Sequence, residues 1–349
     1  MNFAVRGDRA AGWIVAATLI VVVLGTGGML AATGTSVGRA MTALFTGAFG
    51  SWYAFGSGTL VRATPLVLTG LAVAIAFRAG VFNIGAEGQF LLGATAGTAV
   101  ALALSGLPAF VTIPATLLGA AIAGAAWAWI AAVLRLRFHV LEVISTILLN
   151  FVAANLVSYL VRGPLQEPTH IYPQTSPIPL VAQLPRFGAA TRLHLGFAIA
   201  VLACVVSWWV IRYTAGGFRL RAVGANPHAA RSAGQINVEQ VTMRAFLTSG
   251  ALAGLAGAIE VCGVTYALYE NISPGYGFTA IAVALLARLN AAAVILTGIA
   301  FGALEAGGTA MQRDAGVPSV VVSVVEAGVI LALVVFQRTR IVRSNTADE

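Results

Sequence analysis

Apolar residues come in long blocks along this chain, and polar residues collect in the short gaps between them. A helix rising 1.5 Å per residue needs about 20 apolar residues to cross a hydrocarbon core. Read this way, the pattern predicts spans at 12–32, 60–78, 87–105, 108–134, 140–161, 194–213, 242–265, 275–289, 291–311 and 318–336. The stretch Met41–Phe55 is apolar but rich in Gly, Ser and aromatic residues, and it reads as interfacial rather than spanning. The expected fold class is all-α integral membrane, with about ten transmembrane helices in one domain covering 1–349.

Composition agrees with that pattern. Of 349 residues, 59% are hydrophobic and only 9% are charged, against roughly 25% charged in a soluble domain. No water-soluble core of this length buries so much apolar surface, so the solvent is lipid. The net charge of +8 would suit nucleic acid, but the arginines sit mostly at span ends, as membrane topology requires. With the N-terminus in the cytoplasm, the inner side holds Arg6, Arg9, Arg78, Arg135, Arg137, Arg212, Arg219, Arg221, Arg231, Arg244, Arg288, Arg338, Arg340 and Arg343. The outer side holds Arg39, Arg62, Arg162, Arg186, Arg192 and Arg313. Both termini are then cytoplasmic. The run Trp13–Leu24 follows Arg6 and Arg9 but continues to Ala32 without a clear cleavage site, so it reads as an uncleaved first span.

All 20 basic residues are arginine. Without lysine the chain lacks the phosphate-loop residue of common ATPases and the amine of Schiff-base catalysis. Cys204 and Cys262 lie in apolar stretches, and His139, His170, His194 and His228 are far apart, so no metal spacing is present. The chain is expected to be no enzyme and to carry no metal or cofactor of its own.

Two connections are long. The outer loop 163–192 contains Pro164, Pro168, Pro173, Pro177, Pro179 and Pro185, which resist helix and stiffen an extended path. It serves either as a connector or as an external docking surface. In the inner loop 214–241, Asn226-Pro227 reads as an N-cap followed by the first helical position, and Gly234 as a C-terminal stop. This predicts a helix of about two turns, either a loop ornament or a rigid peg that receives force. Gly93/Gly97, Gly250/Gly254 and Gly298/Gly302 have the spacing of closely packed spans.

Two interruptions carry polar groups. The first runs from Arg78 through Asn83, Glu87 and Gln89; the second runs from Asn271 to Phe278, before an apolar run too short to cross alone. One follows the second predicted span and the other follows the seventh, matched positions if the chain is two inverted five-helix halves with short broken helices. Such matched breaks point to a transporter's binding site. Hairpin counting puts Asn83–Gln89 at the inner face, whereas a site at mid-membrane requires the chain to break inside the bilayer; both stay open. Glu87, Glu142, Glu260, Glu305 and Glu326 lie in or near spans, where a charge needs a partner, water or a proton. Glu142, Thr146 and Asn150, four apart, form one polar stripe, and Arg135 or Arg137 can neutralise Glu142. The candidate pathway residues are Asn83, Glu87, Gln89, Asn150, Tyr276 and Phe278.

The segments PLVLTGLAVAIAFRAGVFNIGAEGQFLLGA (65–94), LEVISTILLNFVAANL (141–156), RAVGANPHAARSAG (221–234) and ISPGYGFTAIAVALLARLN (272–290) resemble permease subunits of ABC importers for simple sugars and nucleosides. The nucleoside branch is nearest, and ribose and branched-chain amino-acid permeases are more distant. The resemblance covers most of 60–336. It implies alternating access that brings a nucleoside or simple sugar into the cytoplasm of a bacterial cell across the inner membrane. It also implies four kinds of partner: an ABC ATPase holding ATP and Mg, a second permease subunit (homologous or identical), an external solute-binding protein, and the small polar solute. By this resemblance Gly224, Asn226, Pro227, Ala229, Ala230 and Gly234 form the coupling helix seated on the ATPase. Ala291 departs from the pattern, since related sequences often have proline after the asparagine. The alternatives are an ion-driven secondary transporter, which suits buried acids, and an ABC permease for branched-chain amino acids.

Overall fold

The computed structural model describes residues 36–188, 190–232, 234 and 236–324, with isolated positions between 24 and 34 and between 327 and 331. The predicted first span, most of the last (318–336), Glu326 and the terminal arginines lie outside the described residues. Among the described residues the chain is helical, with only isolated β-bridges. The helices are α1 (Val37–Phe49), α2 (Val61–Arg78), α3 (Ala86–Ala103), α4 (Ala109–Phe138), α5 (Glu142–Val161), α6 (Leu195–Tyr213), α7 (Ala215–Ala225), α8 (Pro227–Ser232), α9 (Val238–Glu260), α10 (Tyr276–Leu286) and α11 (Ala293–Ala315). Six are long and apolar enough to span a membrane when π-helical turns Ala54–Leu60 and Val261–Thr265 are counted with α2 and α9. The chain is a multi-pass membrane protein.

Two compact units are present, Met1–Arg62 with Ala300–Glu349, and Ala63–Ile299. In the first, Gly47 of α1 lies against Ala310, the Thr59 hydroxyl donates to the Ala48 carbonyl at 2.8 Å, and Ala40, Ala43, Met311, Val317, Val321 and Val322 form an apolar cluster. The expected boundary near residue 60 moves: a π-helical turn over Ala54–Leu60 extends the second span to 25 residues, Ala54–Arg78.

In the second unit α3, α4 and α9 pack on one another. The pattern inside α4 inverts that of a soluble helix. Thr112, Thr116, Ala120, Gly124, Ala128 and Ala132, each four apart, are buried, while Phe110, Leu118, Ile122 and Trp129 are exposed. Small residues let backbones approach, and large ones face the lipid. Two of the three predicted glycine pairs, Gly93/Gly97 and Gly250/Gly254, lie here, whereas Gly298 packs against Val67. A methyl group on Gly93 would overlap the Gly254 backbone, and one on Gly250 would overlap Gly124. Because hydrocarbon supplies no hydrophobic drive between helices, this close packing is what holds the trio together.

The connection 214–241 contains more helix than its sequence pattern suggests. The expected peg is α8: the Asn226 side chain accepts from the His228 and Ala229 amides, both at 3.0 Å, and Gly234 has φ +72°. It is preceded by the unexpected α7, capped by Thr214, whose hydroxyl accepts from the Gly217 amide at 3.1 Å. Three glycines hide α7 from any reading by apolar periodicity. Two of them are explained by contact: side chains on Gly217 or Gly224 would strike the Val210 or Arg78 carbonyls.

Gly254→Leu is expected to destabilise the helix trio by more than the roughly 1–3 kcal/mol of ordinary overpacking, visible as a lowered melting temperature in detergent. Gly106→Leu, where nothing lies within 4 Å, should leave the melting temperature unchanged.

Candidate functional site

The first interruption, Ala79–Gly85, connects α2 to α3 with no helical hydrogen bonding of its own for residues 81–84. Its backbone is satisfied by the polar stripe on α5. Glu142 Oε1 accepts from the Phe82 amide at 3.3 Å. The Thr146 hydroxyl accepts from the Ile84 amide at 3.3 Å. Asn150 donates to the Ile84 carbonyl at 2.9 Å and accepts from the Gly88 amide at 2.8 Å. Asn83 and Gln89 lock their amides together at 3.0 and 3.1 Å, and Asn83 also donates to the Ser249 hydroxyl at 2.9 Å. Glu142 is neutralised by Arg135 at 2.6 Å. Asn150 is eight residues into the 20-residue α5, about 12 Å along a helix of about 30 Å. Helix α3 therefore starts beside the middle of a spanning helix, not beside its end.

The second interruption leads into α10 from the unwound segment 266–275, where Tyr266 (φ 57°), Asn271 (φ 57°) and Gly275 (φ 98°) are left-handed. The Pro-rich loop holds this segment as a strand would. Thr175 N donates to Leu268 O at 2.8 Å, Ile178 N to Tyr266 O at 2.8 Å, and Leu184 N to Cys262 O at 2.9 Å. The Ser273 hydroxyl then caps α10, accepting from the Gly275 and Tyr276 amides at 3.1 Å.

The N-termini of α3 and α10 meet. Gly277 sits against the backbone of Ala86 and Glu87 so closely that a side chain there would overlap it. Glu87 Oε2 accepts from the Gly277 amide at 2.7 Å. A carboxylate between two helix N-termini is favoured by both helix dipoles. Beside this junction lies a cavity of about 350 Å³ lined by Glu87, Leu91, Asn150, Phe151, Ala154, Asn155, Val157, Ser158, Glu270, Asn271, Ser273 and Phe278. Of the six candidate pathway residues, Glu87, Asn150 and Phe278 line it. Asn83 and Gln89 are buried behind the junction in their own amide pair. Tyr276 packs its ring against Phe90 at a tilt of 60°, with centroids 5.7 Å apart.

Sequence reasoning did not single out Glu270, Ser158, Arg162, Asn155 or Phe151. The fork of Arg162 grips Glu270 through Nε and Nη2, both at 2.7 Å, and the Ser158 hydroxyl donates to the same carboxylate. These contacts hold the Glu270 carboxyl down at about 2, with the Arg162 hydrogen bonds the largest cause and Ser158 next. The only sequence signal was position: Glu270 directly precedes the second interruption. Arg162 and Glu270 are 108 residues apart, and nothing local pairs them.

Comparison with known proteins gives the assembly its place. Residues 55–336 match the family model described as branched-chain amino acid transport system, permease component. The chain belongs to this permease family. A guanosine ABC transporter permease, NupP of Bacillus subtilis, is 41% identical over 322 residues, 90% of this chain and 91% of that protein. A glucose ABC transporter permease, TsgB13 of Haloferax volcanii, is 43% identical over 295 residues, 81% of this chain and 77% of that one. A nucleoside ABC transporter permease, NupB of Lactococcus lactis, is 31% identical over 301 residues, 84% and 82% of the two chains. In this permease the cavity and both interruptions fall inside the matched segment.

The Arg162–Glu270 latch has a defined pH dependence. Glu270 titrates near 2 in the folded protein and near 4.5 when free, so its contribution is complete above about pH 4.5 and disappears as pH falls toward 2. The melting-temperature difference between wild type and Arg162→Gln is expected to be constant from pH 7 to 5 and to shrink below 4.5. A difference that shrinks between pH 7 and 5 would remove Glu270 as its cause.

Proposed function

We propose that this chain is the membrane-spanning subunit of an ATP-binding-cassette importer that carries a nucleoside into the cytoplasm by alternating access. The observation that carries the reading is the cavity at the α3–α10 junction. It combines two carboxylates (Glu87 and the ion-paired Glu270) and three amides (Asn150, Asn155, Asn271) with two phenyl rings, Phe151 and Phe278. Amide and carboxylate groups suit ribose hydroxyls and base edges, and an aromatic face stacked on a base contributes about 1–3 kcal/mol. A cavity of about 350 Å³ falls within the usual range for small-molecule sites, about 300–1,000 Å³.

In this reading, ATP and Mg belong to a separate ATPase, an external binding protein delivers the solute, and a second permease, identical or homologous, completes the pathway. The arginine-rich side faces the cytoplasm of a bacterial cell, with both termini there. The loop 163–192 is the external docking surface, and 214–241 the cytoplasmic one. Force from the ATPase enters at α8, through Asn226, Pro227, Ala229 and Ala230, with Gly234 ending the peg. It passes along α7 to Gly224, which rests on the Arg78 carbonyl at the end of α2. Arg78 is followed directly by the interruption that carries Asn83 and then Glu87. A displacement of α8 therefore has a short, backbone-to-backbone route to the cavity wall, and the Asn83–Gln89 pair keeps that wall rigid.

A sugar is the second reading, favoured by the identity to the glucose permease. Uptake of labelled uridine in cells with and without this gene, with adenosine, glucose and leucine as competitors, separates these. The nucleoside reading expects uptake that needs the gene and is blocked by adenosine alone. Competition by glucose instead would transfer the assignment to sugars, and uptake abolished by an uncoupler but indifferent to ATP depletion would transfer it to an ion-driven carrier.

Two substitutions test the parts. Glu87→Gln keeps an acceptor for the Gly277 amide but removes the charge; it should lower uptake at least about tenfold with normal expression, and unchanged kinetics would reduce Glu87 to a structural cap. Gly224→Leu should leave basal ATP hydrolysis by the assembled complex intact while uptake falls. Parallel loss of both would argue against a relay at Gly224.

A further inference from the structure

Two further cavities adjoin the last turns of α6. One, of about 370 Å³, is lined by Arg78, Arg212 and Arg221 together with Trp208, Tyr213 and Asn290. No carboxylate lines it. Arg78 donates to the Leu289 carbonyl at 3.0 Å, and Arg221 donates to the Ile211 and Arg212 carbonyls. Backbone acceptors thus anchor two of the three guanidinium groups, each of which has five N–H donors in all. Ala291 also lines the cavity, two residues ahead of the 23-residue α11. The positive end of that helix lies against the negative C-terminal ends of α2 at Arg78 and α6 at Tyr213, so the positive charge of the cavity comes from the three arginines. The ion pairs found among the described residues use other arginines.

The other cavity, of about 310 Å³, is mainly apolar; Ile75, Val206, Val210 and Leu220 line it together with Arg219 and Arg244. Ile211 lines both cavities. Trp208 and Tyr213 meet edge to face, 5.7 Å between centroids, and Trp209 is exposed. Such amphipathic aromatics at a helix end mark headgroup depth.

We propose that this end of α6 and α7 binds one anionic phospholipid, its phosphodiester in the arginine cavity and an acyl chain along the apolar one. A phosphate matches the guanidinium forks, and basic pockets between helices on the cytoplasmic side bind anionic headgroups; only this choice of side rests on the orientation proposed above. A free anion would account for the arginines and leave the apolar cavity without a function. A docked ATPase is expected on 214–241 with α8 as its seat; Arg219, Leu220 and Arg221 of that surface line the cavities although no α8 residue does, so the ATPase is tested directly as a competing occupant.

The test uses the full chain, delipidated in a neutral detergent, with equimolar dioleoylphosphatidylglycerol and dioleoylphosphatidylcholine, and native mass spectrometry of the retained lipid. Phosphatidylglycerol is expected to be retained on the order of tenfold better, and excess inorganic phosphate should not displace it. Doubly substituted Arg212→Gln/Arg221→Gln protein should lose the preference, and Arg212→Lys/Arg221→Lys should keep part of it. Equal retention of the two lipids by wild type would overturn the proposal without any variant. So would a preference that survives the glutamine substitutions, displacement by inorganic phosphate, which would make the ligand a soluble anion, or displacement by the purified ATPase subunit. None of these readouts requires transport, so a failure here leaves the permease reading standing.

Discussion

Unwound backbone packed among membrane-spanning helices carries amide and carbonyl groups that lipid cannot satisfy, at a cost of several kcal/mol for each one left bare. In this permease the side chains of α5 supply the missing partners. Thr146 and Asn150 take up the Ile84 and Gly88 amides and the Ile84 carbonyl, and Glu142 takes the Phe82 amide. Because those partners are satisfied, α3 can begin beside the middle of α5. Because it begins there, its positive end is available to meet that of α10. The cavity wall and the Glu87 contact both follow from this one exchange of hydrogen bonds.

The second interruption is solved differently. The segment 266–270 borrows a strand-like partner from the proline-rich loop. Proline is well suited to that task, since it stiffens an extended chain and limits competing helix. Around both interruptions the scaffold is built from small residues. The four-residue stripe of α4 and the glycines of α3 and α9 allow backbone contact where larger side chains would hold the helices apart. The close-packed trio and the hydrogen-bonded breaks thus rest on different contacts, backbone approach in one and side-chain partners in the other.

The long spans were legible in the chain because hydrocarbon thickness imposes a length, and composition imposes lipid as the solvent. The cap at Asn226-Pro227 was legible because its hydrogen bonds run to residues two and three positions away. The breaks were visible as glycine and polar residues interrupting apolar blocks, and the stripe Glu142, Thr146, Asn150 as a four-residue period. Helix α7 was not visible, because its glycines answer to contacts with Arg78 and Val210 that are remote in sequence or in an adjacent element.

Tertiary structure alone decided what each polar residue is for. Asn83, Glu87, Gln89 and Asn150 look equivalent in one dimension. In three, Asn83 and Gln89 satisfy each other out of reach of the cavity, Asn150 both holds the break and lines the cavity, and Glu87 faces the cavity from between two helix ends. The Arg162–Glu270 latch joins residues 108 apart, and the arginines beside Trp208 come from three separate stretches of chain. Local periodicity and capping are short-range consequences of backbone geometry, so sequence by itself determines them. Charge pairing and cavity shape depend on which distant segments meet, and that is settled only when the helices pack.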